Sequence, residues 1–317
     1  MDKPMWMWVA FVALVIVLLV LDLGVFHKKD KEIGVRESLL MSLFYITIGL
    51  LFGGFVWYEL GATSGTEYLT GYLVEKTLAM DNIFVMSLIF SYLAIPAKYQ
   101  HRVLFWGILG VILLRGIFIG LGAAIVAEYA WVLYIFAAFL VFTGIKMLFT
   151  ADDAPEDMSK NKMLLWLRKH LPFTDKLHGN KFSVLLPHAD DPNKQVRYYT
   201  PLFLALIMIE LADLIFALDS IPAIFAITTD PYIVFTSNIF AILGLRAMYF
   251  ALAVIIHRFH YLKYSLSLIL IFIGGKVFAA PLLDLEKVPA SISLGVTFAL
   301  LAGGVVYSML KPVPEKK

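Results

Sequence analysis

The part of the sequence best suited to chemistry is an apolar stretch that carries three carboxylates. Residues 209–225 read IELADLIFALDSIPAIF, so Glu210, Asp213 and Asp219 lie in a segment that is otherwise apolar enough to span a membrane. An ionisable side chain at the centre of a bilayer costs about 2.5–3.5 kcal/mol on insertion scales. Three such costs in one span require a compensating partner, and a bound cation is the first candidate.

A second acidic stretch lies earlier in the chain. Residues 71–85 read GYLVEKTLAMDNIFV and place Glu75 and Asp81 in another apolar segment. Basic residues also fall inside predicted spans, and these are Lys76, Arg115, Lys146, Arg246 and Lys276. Either the bases pair permanently with the acids and lock the bundle, or Arg115, Lys146, Arg246 and Lys276 neutralise the acids when no cation is bound. We favour the second interpretation, because apolar residues often replace a buried ion pair without loss of stability.

The candidate ligands all offer oxygen. Amide and hydroxyl side chains accompany the carboxylates, and the chain has no cysteine. Such sites suit Mg²⁺, Ca²⁺ or Mn²⁺, and the same acids are compatible with proton transport. The sequence therefore predicts a metal site drawn from Glu75, Asp81, Glu210, Asp213, Asp219, Asn82 and Asn238. No resident cofactor is expected.

Helical phase limits how these acids can meet. At about 100° per residue, Glu210 and Asp213 are roughly 60° apart, whereas Asp219 is about 180° from Glu210. One face of a straight helix cannot present all three. Pro222 removes the donor to the Leu218 carbonyl, and we expect it to kink or unwind the helix there.

The elements that must position these residues are membrane helices. Hydrophobic residues make up 61% of the 317 and charged residues 16%, against about 45–50% and about 25% in soluble domains. We predict an all-α polytopic membrane protein. Its nine spans cover approximately 5–26, 37–59, 67–94, 102–127, 129–150, 200–228, 232–257, 262–281 and 290–310. No Walker motif, dinucleotide fingerprint or nucleophile elbow is present, so ATP-driven transport by this chain alone is not expected. No nucleophile–base pair is visible, so an enzyme is not expected, and neither is a nucleic-acid partner.

Basic residues predict the orientation, because cytoplasmic loops are enriched in Lys and Arg. They cluster after the first, third, fifth and seventh spans and at the end of the chain. We therefore expect an external N-terminus and a cytoplasmic C-terminus. The chain divides into two N-terminal helices (1–60), a three-helix unit (67–150), a cytoplasmic loop (151–199), a second three-helix unit (200–281) and a last helix with its tail (290–317).

The cytoplasmic loop has its own predicted structure. Residues 161–171 suit an amphipathic helix on the inner leaflet. Residues 182–186 and 196–199 suit a small hairpin around a polar turn. His188, Asp190 and Asp191 in that turn could contact a metal, although an ordinary turn is the favoured interpretation.

The two three-helix units repeat one pattern. Glu75 and Asp81 have the spacing of Asp213 and Asp219, an arginine follows in the next span, and a Gly-containing motif ends at Lys146 in one unit and at Lys276 in the other. Because each unit has an odd number of helices, the second enters the membrane from the opposite side. This predicts an inverted 3+3 repeat, with the site near the midplane where the repeats meet.

Three segments carry a family resemblance. They are GYLVEKTLAMDNIFV (71–85), ELADLIFALDSIPAIFAITTDPYIVFTSN (210–238) and IFAILGLRAMYF (239–250). They resemble the signature blocks of the TerC family, and the chain's length and long central loop are most similar to its Alx branch. The resemblance implies an inner-membrane metal-homeostasis protein whose best-supported activity is Mn²⁺ export. The tellurite and redox descriptions used in the family gain no support from these residues, since cysteine and cofactor motifs are absent.

Two functions from different classes remain open on the sequence. The leading hypothesis is a secondary-active transporter that exports Mn²⁺ as its cargo, with proton exchange as a compatible coupling. Asp81, Asp213 and Asp219 would be ligands or proton carriers, and Glu75 and Glu210 ligands or gates. The alternative is a non-transporting metal sensor or stress-response scaffold that acts through the 151–199 loop. The expected partners are the lipid bilayer and a divalent cation, and a homo-oligomer is compatible with the sequence.

Overall fold

The computed structural model describes residues 3–21, 34–150, 161–187, 195–252, 261–283 and 288–311. Within these ranges, the side chains of Met80, Asp81 and Thr150 lie outside the description. The helices are α1 (Met5–Leu21), α2 (Val35–Tyr92), α3 (Ala97–Glu128), α4 (Val132–Thr150), α5 (Lys162–His170), α6 (Pro201–Ile227), α7 (Pro231–Leu243), α8 (Leu245–Leu252), α9 (Leu262–Leu282) and α10 (Ala290–Leu310). Two antiparallel strands, β1 (Ser183–Pro187) and β2 (Gln195–Tyr199), precede α6.

Helix α2 is folded back on itself at Gly61. That residue has a φ of +88° and a non-helical ψ of 171°, a backbone conformation that glycine adopts without a Cβ penalty. The Tyr68 hydroxyl donates a 3.0 Å hydrogen bond to the Gly49 carbonyl, and a Cβ added at Gly65 would lie 2.7 Å from the Cβ of Trp57. The two arms are therefore antiparallel. We call residues 35–60 arm α2a and residues 62–92 arm α2b.

The spans agree with the nine that the sequence predicts. Among the described residues, seven helices are long and apolar enough to cross a membrane. One of these is α2, whose two arms are roughly 39 and 46 Å long at about 1.5 Å per residue. Helix α1 adds a further apolar helix of 17 residues, Met5–Leu21. The break after Glu128 is real, since α3 ends there and α4 begins at Val132. The chain is thus an all-α polytopic membrane protein.

The centre of the bundle is the α7–α8 pair. Nearly all of the residues from Pro231 to Leu252 are buried. Gly244 separates the two helices, with a φ of −83° and a ψ of 0°. Helices α2, α3 and α6 surround it. Helix α1 packs its Phe11 ring against Phe52 of α2a and Phe240 of α7.

Helix α6 does not unwind at its proline. It is continuous from Pro201 to Ile227 with Pro222 inside. Of the two predicted outcomes, the unwound segment is wrong and the kink stays a prediction. The carbonyl of Leu218 still lacks the N–H that a non-proline residue at position 222 would provide. The acids along α6 are therefore presented by a continuous helix, and their directions follow the helical phase.

Helices α4 and α9 make reciprocal backbone contacts. A Cβ added at Gly144 would lie 2.8 Å from the Ser267 carbonyl oxygen, and one added at Gly274 would lie 2.5 Å from the Ala137 carbonyl oxygen. Moving forward along α4 from Ala137 to Gly144 therefore moves backward along α9 from Gly274 to Ser267, so the two helices are antiparallel. Gly144 and Gly274 also hold the same place in the two Gly–Lys motifs. The contact has the symmetry expected of an inverted repeat, while the repeat of the complete units stays a prediction.

The loop between α4 and α6 packs on the ends of the bundle. The Asn161 carboxamide accepts from the backbone N–H groups of Met163 and Leu164 and so caps α5. Leu164 and Leu167 are buried with apolar residues of α2b, α3 and α6, whereas Trp166 is 57% exposed. The predicted amphipathic helix and hairpin are confirmed, but the apolar face of α5 contacts protein. His188, Asp190 and Asp191 lie outside the described residues.

Candidate cation site

Arg115 is the centre of the polar site. It lies in the middle of α3 and is 1% exposed, although its helix is otherwise strongly apolar. Glu75 of α2b and Asp213 of α6 are also buried. A guanidinium at this depth requires anionic partners to compensate its desolvation, and the two carboxylates come from the two units that the sequence predicts to be repeats.

The guanidinium bridges the two carboxylates. Arg115 Nη2 donates to Asp213 Oδ1 at 3.0 Å and Nε donates to Asp213 Oδ2 at 3.2 Å. Arg115 Nη1 donates to Glu75 Oε1 and forms an ion pair with it. The planar fork of donors in arginine suits such bidentate recognition.

Amide and hydroxyl groups complete the arrangement. Asn238 of α7 accepts from Arg115 Nη1 at 3.1 Å and donates through Nδ2 to Glu75 Oε2 at 3.0 Å. Ser220 Oγ accepts from Nη1 at 3.0 Å. Asn82 Nδ2 donates to Asp213 Oδ1 at 2.9 Å. We call Glu75, Asn82, Arg115, Asp213, Ser220 and Asn238 the Arg115 cluster; it joins α2b, α3, α6 and α7.

One oxygen of this cluster has no donor. Asn82 Oδ1 is buried and accepts no hydrogen bond, and burying such an acceptor without a partner costs about 1–3 kcal/mol. With the carboxylates and Asn238 Oδ1, it forms a set of oxygen ligands that fits a hard divalent cation. Across the described part of the chain, no three Asp, Glu, His or Cys side chains form a group able to hold a metal. Because the Arg115 guanidinium contacts both Glu75 and Asp213, a cation bound between these carboxylates would have to take its place.

Lys76 is a second basic residue beside the cluster. It follows Glu75 on α2b, is buried, and donates through Nζ to the Ala241 carbonyl at 2.8 Å. The ring of Tyr72 lies 5.8 Å from the same nitrogen. Lys76 thus lies beside Glu75 but bonds to a backbone carbonyl, while Arg115 forms the ion pairs with Glu75 and Asp213.

Glu210 lies outside the Arg115 cluster. It lines a groove of about 530 Å³ between α3 and α6, together with Trp106, Leu109, Gly110, Leu113, Leu114, Leu206, Ile207 and Leu211. Both carboxyl oxygens are buried and neither has a hydrogen-bond partner. A Cβ added at Gly110 would overlap the carboxyl group, so the glycine makes the room that Glu210 occupies.

Asp219 belongs to a third polar group. The Thr143 hydroxyl of α4 donates a hydrogen bond to its carboxylate, and Lys146 lies close enough to act on it electrostatically. Six residues separate Asp219 from Asp213, which is about 9 Å along the helix. The helical phase predicts that one face of α6 cannot present all three acids. This is confirmed, because Glu210, Asp213 and Asp219 have three different surroundings.

The remaining predicted residues lie elsewhere or outside the description. Arg246 is buried at the start of α8 and lines a small cavity with Gly107 and Ile209. Lys276 is buried and donates to Ser293 Oγ of α10 at 3.1 Å. The backbone of Asp81 is helical, but its side chain is outside the described residues. The single site predicted from five acids is thus divided, and ligand roles for Asp81, Glu210 and Asp219 stay predictions.

Sequence reasoning missed two contributors. The sequence shows Lys76 as a base within a span but indicates no role for it, and Thr143 is not among the predicted site residues. A signal for Thr143 exists, since it lies one helical turn before Lys146 and so shares its face. The contact of Lys76 with the Ala241 carbonyl joins α2b to α7, and no local pattern indicates it.

Comparison with known proteins identifies the family. Residues 60–315 match the model of the integral membrane protein TerC family. The chain belongs to the TerC family. The match begins at the end of arm α2a, so it includes every residue of the Arg115 cluster as well as Glu210 and Asp219. No solved structure matches the chain.

The TerC chain has bacterial relatives that align over nearly its whole length. A membrane protein of Rickettsia bellii is 50% identical, covering 96% of this chain and 97% of the relative. A membrane protein of Myxococcus xanthus is 45% identical over 96% of this chain and 92% of its own length. A protein of Photorhabdus laumondii named Alx, with a provisional description as a membrane-bound redox modulator, is 44% identical over 93% of this chain and 92% of the relative.

Proposed function

We propose that this chain is a secondary-active transporter that exports Mn²⁺ from the cytoplasm across the bacterial inner membrane. The observation that carries the proposal is the Arg115 guanidinium, in the middle of α3, held by two buried carboxylates, Glu75 and Asp213. The guanidinium occupies the position that a cation would take between these acids. Arg115 is thus a tethered cation that fills the site when cargo is absent.

Charge supports a divalent cargo. Glu75 and Asp213 together carry two negative charges, which one divalent cation neutralises. Arg115 supplies one positive charge to both carboxylates, whereas the neighbouring Lys76 donates to the Ala241 carbonyl. A divalent cation can neutralise these two carboxylates only if Arg115 leaves them and turns to another acid or to water. Cation binding and movement of the Arg115 side chain would then occur together. Such coupling of cargo to a conformational change is what an alternating-access transporter needs.

The donor atoms support a hard cation. Release of Arg115 would free both carboxylates, Asn238 Oδ1 and Ser220 Oγ, and Asn82 Oδ1 already lacks a donor. Oxygen ligands suit Mg²⁺, Ca²⁺ and Mn²⁺ alike. The choice of Mn²⁺ among them rests on the resemblance to TerC proteins. Asp219, with Thr143 and Lys146, would form a second cation-binding position about 9 Å along α6 from Asp213. It lies toward the C-terminal end of α6, which we propose to be the external end.

The proposal is tested by the Mn²⁺ content of cells that lack their own exporter. We expect cells with the wild-type chain to hold less Mn²⁺ than empty cells, and Glu75→Gln and Asp213→Asn to abolish that difference. Asp175→Asn is the matched control, because the Asp175 side chain is 90% exposed. Equal lowering of cell Mn²⁺ by the wild type and by both site variants would contradict the assignment.

A second candidate is a membrane sensor that acts through the cytoplasmic loop. The burial of Leu164 and Leu167 against the ends of α2b, α3 and α6 favours it, because this contact joins the loop to three helices of the Arg115 cluster. Leu164→Asp with Leu167→Asp would detach α5. A non-transporting sensor predicts that this variant loses its response to Mn²⁺ and that neither it nor the wild type moves Mn²⁺. A transporter predicts Mn²⁺ flux that depends on Glu75 and Asp213 whatever the state of the loop.

A further inference from the structure

The carboxyl group of Glu210 has a position unlike that of the other described acids. Its two oxygens are buried without a hydrogen-bond partner, while its side chain lines the groove between α3 and α6. The groove is otherwise lined by apolar residues and Gly110, and its mouth lies on the lipid-facing side of the helix pair, between the exposed side chains of Trp106 and Leu113.

Among the residues that the structure describes, no basic side chain donates a hydrogen bond to the Glu210 carboxyl group. Asp213, one turn along α6, is the charged side chain that acts on it electrostatically. From α3, the lining residues are apolar or glycine. On the α8 side, Arg246 lines a small cavity bounded by Gly107 and Ile209, and it does not donate to either Glu210 oxygen. Arg115 is engaged by Asp213 and Glu75.

An ionised carboxylate in these surroundings would be both desolvated and repelled by Asp213. Burying an unpaired charge is far more costly than burying the neutral acid, so the described arrangement accommodates Glu210 with a proton. We propose that Glu210 is a proton-binding site, separate from the Arg115 cluster and reached through the groove between α3 and α6, and that it carries the proton exchanged for the exported cation. The exchange part of this inference rests on the proposed function.

Electrostatics gives the direction of the coupling. When a divalent cation replaces the singly charged guanidinium at Asp213, the charge one turn away from Glu210 becomes more positive. That change favours loss of the proton from Glu210. By linkage, a proton on Glu210 weakens cation binding by the same factor. Cation and proton therefore exclude one another, which is the behaviour of an exchanger.

Labelling with dicyclohexylcarbodiimide tests the proton site without any transport. This apolar reagent adds to protonated carboxyl groups in lipid-facing positions, and the adduct retains all the atoms of both partners. In the purified full-length chain we expect the labelled peptide to contain Glu210, with labelling that falls as pH rises and as Mn²⁺ is added. Glu210→Gln should lose it. Labelling confined to other residues, or insensitive to pH, would overturn the proposal.

Two glycines of α3 provide matched variants. A Cβ at Gly110 would overlap the Glu210 carboxyl group, whereas one at Gly120 has nothing within 4 Å. We expect Gly110→Ala to reduce labelling and Gly120→Ala to leave it at the wild-type level. Equal labelling of both variants would show that the groove does not hold the reactive group.

Flux in proteoliposomes tests the exchange. The measured quantity is the ratio of Mn²⁺ flux with an opposing pH gradient to flux without one. We expect this ratio to fall to one in Glu210→Gln and to keep its wild-type value in Gly120→Ala. An undiminished ratio in Glu210→Gln would overturn the coupling role. If the wild type moves no Mn²⁺ at all, transport fails as the function, and the labelling experiment still decides whether Glu210 binds a proton.

Discussion

At the residue scale, one arginine determines the state of the site. The Arg115 guanidinium donates to Asp213 twice and to Glu75, Asn238 and Ser220 once each. Removing one partner of a buried charge pair typically costs about 3–5 kcal/mol, because the other charge is left uncompensated. The same loss creates an empty site with two negative charges, which a divalent cation can occupy without competition.

We therefore expect Arg115→Ala to be unstable without metal and rescued by it. Its unfolding free energy in detergent should fall by about 3–5 kcal/mol, and added Mn²⁺ should raise its melting temperature more than that of the wild type, since a ligand stabilises the state it binds. Thermal melts with and without Mn²⁺ measure both effects.

Arg168→Ala is the control for this prediction. Arg168 is half exposed and pairs with Asp175 at 3.7 Å, and such surface pairs contribute about 0–1 kcal/mol. It should melt like the wild type, with the same response to Mn²⁺. If Arg115→Ala gains no more from Mn²⁺ than Arg168→Ala does, then the guanidinium does not occupy a cation site.

At the element scale, glycines set how closely the helices approach. Gly274 of α9 faces the Ala137 carbonyl of α4, and Gly144 of α4 faces the Ser267 carbonyl of α9. Small residues permit this approach between membrane helices. Because backbone atoms are on the other side, an added methyl group cannot be relieved by a change of rotamer, and the helices must separate.

This contact predicts opposite effects at two adjacent positions. Gly274→Ala should destabilise the protein by about 1–3 kcal/mol, the usual effect of overpacking, and Gly144→Ala should do the same at its counterpart. Gly275→Ala, with nothing within 4 Å, should be neutral or stabilising by up to about 1 kcal/mol through helix propensity. Unfolding in a denaturing detergent measures all three.

The reciprocal contact between α4 and α9 also predicts the stability of the double variant, Gly144→Ala with Gly274→Ala. Gly144 and Gly274 lie in one interface, so the double variant should cost less than the sum of the single ones, because helices already separated have less contact to lose. Strict additivity would mean that the two glycines pack independently and that the reciprocal contact is not one structural unit.

At the scale of the whole molecule, the sequence predicts the spans better than the site. Apolar length and proline breaks indicate the helices, and the acids and amides of the Arg115 cluster stand out because polar groups are costly in lipid. The meeting of Glu75 and Asp213 on Arg115 depends on helix rotation and tilt, which span length does not determine. For the same reason, the sequence does not show that Glu210 and Asp219 lie outside that cluster. The helical phase indicates only that Asp219 and Glu210 point in opposite directions.

The direction of the chain in the membrane follows from the hairpin in α2. If the fold back at Gly61 joins two crossings, then Thr63 just after it and Lys98 at the start of α3 lie on opposite sides of the membrane. Positive charge favours the cytoplasm for Lys98, which predicts that Thr63 lies outside. The absence of cysteine from the chain gives single-cysteine labelling no background.

We accordingly expect Thr63→Cys to react with a membrane-impermeant maleimide in intact cells, and Lys98→Cys to react only after permeabilisation. Both side chains are exposed, so access to the reagent depends on the side of the membrane. Reaction of both variants from one side would mean that α2 crosses once or not at all. Reversed labelling would keep the hairpin but invert the orientation, and export through the Arg115 cluster would then have to become import.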